Sequence, residues 1–210
     1  MILSANDITH FGADFLVTEG LQGNRPVSPN QKHHEYVAAF TGFDEPGKVP
    51  EAPVAQNGVK HLNLSVNPLG NAGIEGLATF IKSKFSTLVK LNVSDCKIKT
   101  KGAVTLFLAI ARQTFLEELD LSKNDIGISS STNRTYVGHH PGMLCTALAA
   151  GLPVSLSSLN LDMCTLSDQE CAAISEAMTQ KNHLKTLSLR SNKITSSGMN
   201  TISGAIAHKF

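Results

Sequence analysis

The 210-residue chain has no tryptophan, two tyrosines and 5% aromatic residues. Aromatic side chains are the usual anchors of tight interfaces. Whatever contact this chain makes is therefore expected to be polar and water-rich. Charged residues are also sparse, at 17%, and the formal net charge is +1. Bulk charge then gives no pull toward nucleic acid or an anionic membrane surface. No apolar run reaches roughly 18 residues, so no membrane insertion is expected. The first residues lack the basic-then-apolar profile of a secretion leader. There is no glycine-rich phosphate loop: Gly70, Gly73 and Gly76 follow no strand-to-helix phosphate pattern. No cofactor is expected.

What the chain does have is a repeat. Leu116–Ile126 reads LEELDLSKNDI, and related segments begin at Val59, Leu88, Leu156 and Leu184. A polar or cysteine position recurs at Asn67, Cys96, Asn124, Cys164 and Asn192, at steps of 29, 28, 40 and 28 residues. A fixed period of this size marks a solenoid whose repeats are single supersecondary units. The paired apolar residues are two apart, which puts both on one side of a strand. Leu62 with Leu64, Leu91 with Val93, Leu119 with Leu121, Leu159 with Leu161, and Leu187 with Leu189 are expected in the core. A one-residue slip would expose them all, so the register is well specified. Asn67, Asn124 and Asn192 are placed to satisfy the backbone groups that the following turn leaves unpaired. Cys96 and Cys164 replace them as small, weakly polar groups. Beyond each turn the apolar period becomes helical, as in Gly102-Ala103-x-x-Leu106-x-x-Ala109-Ile110.

Strand, turn and helix in each unit predict an α/β solenoid with a parallel sheet inside and helices outside. The period, the LxxLxLxx(N/C)xL motif and the exchange of Asn with Cys resemble the ribonuclease-inhibitor-like class of leucine-rich repeats. That resemblance covers residues 59–210 and part of 1–21. It implies a fold of about five to six repeats and no single function.

The whole chain, 1–210, is expected to form one domain with two interruptions. Residues 1–21 match a repeat that starts in mid-strand. Residues 22–58 are an irregular insertion or degenerate repeat, and residues 127–141 are a loop insertion carrying Arg134, Tyr136, His139 and His140. Insertions of this kind map to loops on one face and often bind. Because solenoid ends expose core, the chain is expected to belong to a larger assembly or a longer chain.

The inner face of the sheet is the leading candidate site. Its central column is Asn63, Asn92, Asp120, Asn160 and Ser188. On one side run His61, Lys90, Glu118, Ser158 and Thr186, and on the other Ser65, Ser94, Ser122, Asp162 and Arg190. A basic set on the helical side comprises Lys82, Lys84, Lys97, Lys99 and Lys101.

Other constellations are set aside. His33-His34 and His139-His140 have no further ligand at metal spacing. Asp162, Cys164, Asp168, Glu170 and Cys171 cluster in one repeat, but both thiols fall on core positions and lack the exposure a nucleophile needs. All four cysteines map to core positions, so free thiols and a reducing, cytoplasmic setting are expected, with cytoskeletal association within that reading. The function expected is a non-catalytic protein–protein interaction module, a scaffold or assembly subunit. The alternative is a GTPase-activating protein of the Ran-activator type, which is similar in repeat class. Against it, Arg25, Arg112, Arg134 and Arg190 form no cluster in the sequence.

Overall fold

In a computed structural model, five short strands line up in chain order as one parallel sheet. The structure describes residues 59–83, 86–127, 142–150, 152–180 and 183–209. The half repeat at 1–21, the insertion at 22–58 and nearly all of the 127–141 loop lie outside the described residues, Arg134, Tyr136, His139 and His140 among them. So do His33, His34 and Lys84.

The elements alternate without exception among the described residues. They run β1 (His61–Asn63), α1 (Gly70–Lys82), β2 (Lys90–Asn92), α2 (Thr100–Ile110), β3 (Glu118–Asp120), α3 (Met143–Ala149), β4 (Ser158–Asn160), α4 (Asp168–Thr179), β5 (Thr186–Ser188) and α5 (Ser196–Lys209). Each strand pairs with the next, and the leucines align: Leu62, Leu91, Leu119, Leu159 and Leu187 occupy one row. Consecutive helices pack side by side on the other layer. The core between the layers is continuous, running from Leu62 and Leu64 to Leu159, Leu161 and Ile174. Leu187 and Leu189 are only partly buried, unlike their counterparts. Sequence periodicity put them fully inside. They belong to the last rung, and no further rung lies over them among the described residues.

Asparagine and cysteine alternate for a hydrogen-bonding reason. Asn124 Nδ2 donates to the carbonyls of Leu121 and Ser122 in its own turn and of Val93 one rung back. Its Oδ1 accepts the Cys96 and Ile98 N–H groups, both at 3.0 Å. Asn192 repeats the arrangement on Leu161, Leu189, Cys164 and Leu166. A thiol can replace the donor but not the amide oxygen. Cys96 Sγ donates back to Leu64 and Cys164 Sγ to Leu121. The N–H groups that such a thiol cannot serve turn inward instead: Leu69 N–H bonds Asn67 and Ile126 N–H bonds Asn124, each across three residues. Backbone N–H groups thus find acceptors on both kinds of rung.

The turn also demands a left-handed residue just before the Asn or Cys. Val66, Asp95, Lys123, Met163 and Ser191 all have φ between 53 and 60°. For branched Val66 this conformation is strained, so geometry has overridden residue preference there.

Helix starts are capped from the neighbouring repeat. Asn71 Oδ1 accepts the N–H groups of Lys99 and Gly102 at the head of α2. Asp168 does the same for Thr195 at the head of α5. These Thr195 bonds hold the Asp168 carboxyl below its ordinary pKa. Because the folded value is depressed, the cap stabilises at neutral pH and is lost in acid. Helix α4 caps itself: buried Glu170 accepts both the N–H and the hydroxyl of Ser167.

Candidate functional site

The strand register sets the inner face. His61, Lys90, Glu118, Ser158 and Thr186 fall in one row, and Asn63, Asn92, Asp120, Asn160 and Ser188 in the next. The third row keeps step past the strands, because Val66, Asp95, Lys123 and Met163 N–H groups bond the carbonyls of Ser94, Ser122, Asp162 and Arg190. Rungs of a parallel sheet stand about 4.8 Å apart, so each row is a ladder. A trough of about 530 Å³ runs along the first four rungs, lined by His61, Asn63, Lys90, Asn92, Glu118, Asp120, Ser158 and Asn160.

The side chains in the central row are not free rotors. Asn63 Oδ1 accepts the Ser65 N–H, Asn92 that of Ser94, Asp120 that of Ser122, and Asn160 that of Asp162, at 2.9 to 3.0 Å. Each closes its own strand end with a local turn. On the last rung serine is too short for this. Asp162 reaches across instead, and its Oδ1 accepts both the Ser188 hydroxyl and the Arg190 N–H at 2.6 Å. With one oxygen committed, the outward groups are amide donors at Asn63, Asn92 and Asn160 and the second carboxylate oxygen of Asp120.

This geometry corrects the site drawn from the sequence. Ser65 and Ser122 are buried, so they offer no contact surface. The strand ends two residues earlier and the chain turns inward, taking these small side chains with it. Lys90 and Glu118 form an ion pair across rungs at 2.7 Å. At about half exposure such a pair contributes at most about 1 kcal/mol. The basic set on the other side is also redistributed: Lys97 and Lys99 lie in the turn before α2, while Lys101 pairs with Glu75 at 2.8 Å. A signal for the local turns was present in the sequence: an Asn or Asp stands two residues before the third-row residue in four of five repeats.

All four cysteines are free thiols, with Cys96, Cys164 and Cys171 buried and Cys145 half-buried. Burial pushes the Cys96 and Cys171 thiols up to about 11 and Cys164 up to about 12. Burial raises Cys145 as well. A thiol rather than a thiolate is a poor nucleophile at neutral pH. In the native protein at pH 8, iodoacetamide is expected to modify at most Cys145. All four should react in denaturant. Peptide mass spectrometry reads this, and fast native labelling of Cys164 would contradict the buried assignment. Among the described residues no group of three His, Cys, Asp or Glu side chains is gathered as a metal site. No described helix is long and apolar enough to cross a membrane.

Comparison with known proteins agrees with the repeat. A family model described as Leucine Rich repeat matches residues 59–78, 86–107, 112–127 and 180–203. The chain is similar to NACHT, LRR and PYD domains-containing protein 9C of Mus musculus, at 32% identity over 153 residues, 71% of this chain and 14% of that protein. It is similar to the ribonuclease inhibitor of Sus scrofa at 30% identity, covering 73% of this chain and 31% of that protein. The ribonuclease inhibitor of Mus musculus is 27% identical over 188 residues, 88% of this chain and 37% of that protein. The chain thus spans well under half the length of these relatives.

Proposed function

The chain is a leucine-rich repeat protein of the ribonuclease-inhibitor-like class, and on that premise we propose that it is a non-catalytic protein–protein interaction module, a scaffold or assembly subunit that binds through the inner face of its sheet. The observation that carries this is the ordered polar ladder over five strands. The side chains of its central row are already fixed in place by hydrogen bonds, so binding there costs little side-chain entropy. The partner is a protein, met through hydrogen bonds and water rather than aromatic anchors. The printed names of the relatives support the reading only in kind: two are ribonuclease inhibitors, and one carries an LRR domain among further domains. Buried free thiols favour a reducing, cytoplasmic setting.

The test should leave the strand-end turns intact, which rules out substitutions at Asp120 or Asn160. Ser158 is half-buried and lines the trough and Thr186 is exposed beside it, and neither closes a strand-end turn, so Ser158→Arg with Thr186→Arg blocks the ladder at the surface. Native cross-linking of parent and variant, with identified products compared, is the measurement. The variant should lose at least one partner while melting within a few degrees of the parent. Unchanged products would remove the inner face from consideration.

A further inference from the structure

The central row of the inner face has an order of donors and charge that selects its occupant. Asn63, Asn92, Asp120 and Asn160 each give one oxygen to the N–H two residues on. Their outward groups, three amide Nδ2 donors and the second oxygen of Asp120, meet no partner among the described residues. All four side chains are half-buried along the trough. From the first rung to the fourth the row therefore reads donor, donor, carboxylate, donor. On the fifth rung the Ser188 hydroxyl is already given to Asp162. Lys90 is neutralised by Glu118. That leaves the Asp120 carboxylate, between Asn92 and Asn160, without a cation among the described residues.

Spacing narrows the choice further. Alternate rungs of a parallel sheet stand about 9.6 Å apart. Among alternate rungs, two outward donors face a ligand only at Asn92 and Asn160. The first and third rungs pair Asn63 with Asp120, and the third and fifth pair Asp120 with Ser188. A chain lying along the row must present carbonyls on one side at that interval. A polyproline II helix does so, with three residues and about 9.3 Å per turn. A β-strand returns a carbonyl to the same side every two residues, about 6.7 Å, and falls out of step. An α-helix uses its carbonyls internally, whereas polyproline II has no internal hydrogen bonds and leaves every carbonyl available. The two residues between the bonded carbonyls pass over Asp120, which attracts a cationic side chain.

We infer, on the reading of the inner face as the binding surface, that its second to fourth rungs take a proline-rich segment of another protein in the polyproline II conformation. Carbonyls three residues apart accept from Asn92 Nδ2 and Asn160 Nδ2, and a lysine or arginine between them pairs with Asp120. Such a segment is extended before it binds and loses little chain entropy. Amide donors here take the place of the aromatic grooves that commonly hold such segments.

The probe is a blocked peptide of four prolines, one arginine and four prolines. Its controls carry glutamine at the centre, or glycine in place of every proline. Binding to the full chain is read by NMR of the asparagine side-chain amides. The arginine peptide should saturate with a Kd on the order of 1 mM. It should move the Asn92 and Asn160 signals together and Asn63 little, because Asn63 lies half a turn out of phase. The glycine peptide should bind at least about threefold more weakly, since it must be ordered on binding. Asp120→Asn keeps the oxygen that accepts the Ser122 N–H and removes the charge. It should lower the affinity of the arginine peptide about threefold to fivefold. The glutamine peptide should bind parent and variant alike, which also shows that the variant is folded. Absence of saturable binding, shifts led by Asn63, equal binding of the glycine peptide, or an arginine preference that survives Asp120→Asn would each overturn the proposal. If the peptides fail while Ser158→Arg with Thr186→Arg still removes a cross-linked partner, the inner face binds, but not a segment of this kind.

Discussion

Replacing Asn124 with alanine is expected to cost about 3–5 kcal/mol, and replacing Asn192 with alanine about 1–2 kcal/mol, although the two side chains make the same bonds. Asn124 is 2% exposed. Its loss strands the Cys96 and Ile98 N–H groups and weakens the pairing of the Val93, Leu121 and Ser122 carbonyls, all away from bulk water. A buried donor or acceptor left unpaired costs its full desolvation. Asn192 lies on the last rung and is partly exposed, so water replaces the lost amide. Urea unfolding followed by circular dichroism measures both. Equal losses would mean that the side chains act through local turn geometry, with burial irrelevant.

Gly127→Ala is expected to destabilise by about 3 kcal/mol. A Cβ at this position would collide with the backbone carbonyl of Thr165. Neither party is a movable side chain: the Gly127 N–H itself bonds the Cys164 carbonyl at 3.0 Å. One of the two rungs must shift, and the core leucines between them shift with it. Gly142→Ala is the control, because nothing lies within 4 Å of a Cβ there. It should change stability by less than about 0.5 kcal/mol. If the two variants melt alike, the close approach of rungs three and four is not what holds that turn.

These two positions differ in how readable they are. Asn124 announces itself, since an asparagine recurring at one place in three of five aligned segments, with cysteine in the other two, has few other uses. Gly127 does not: in sequence it is the first residue of an insertion, and its neighbour Thr165 lies 38 residues away. The inner face shows the same division. The rows of the ladder follow from alternation and period alone. Yet the burial of Ser65 and Ser122, and the commitment of one oxygen each of Asn63, Asn92, Asp120 and Asn160, depend on where the strand stops and the chain turns.

Sequence by itself determined the strand–turn–helix unit, the parallel stacking, the core leucines of the inner rungs and the placing of asparagine and cysteine, because these rest on spacing, which is a property of the chain. Tertiary structure alone decided the rest. It put Val66, Lys123 and Met163 into left-handed backbone that their side chains disfavour. It had Asn71 and Asp168 cap the helices of neighbouring repeats. It left Met199 and Ile206 exposed at positions where the same pattern elsewhere is sealed. Each of these depends on which rung lies beside which, and a repeat pattern is blind to its neighbours until the rungs are stacked.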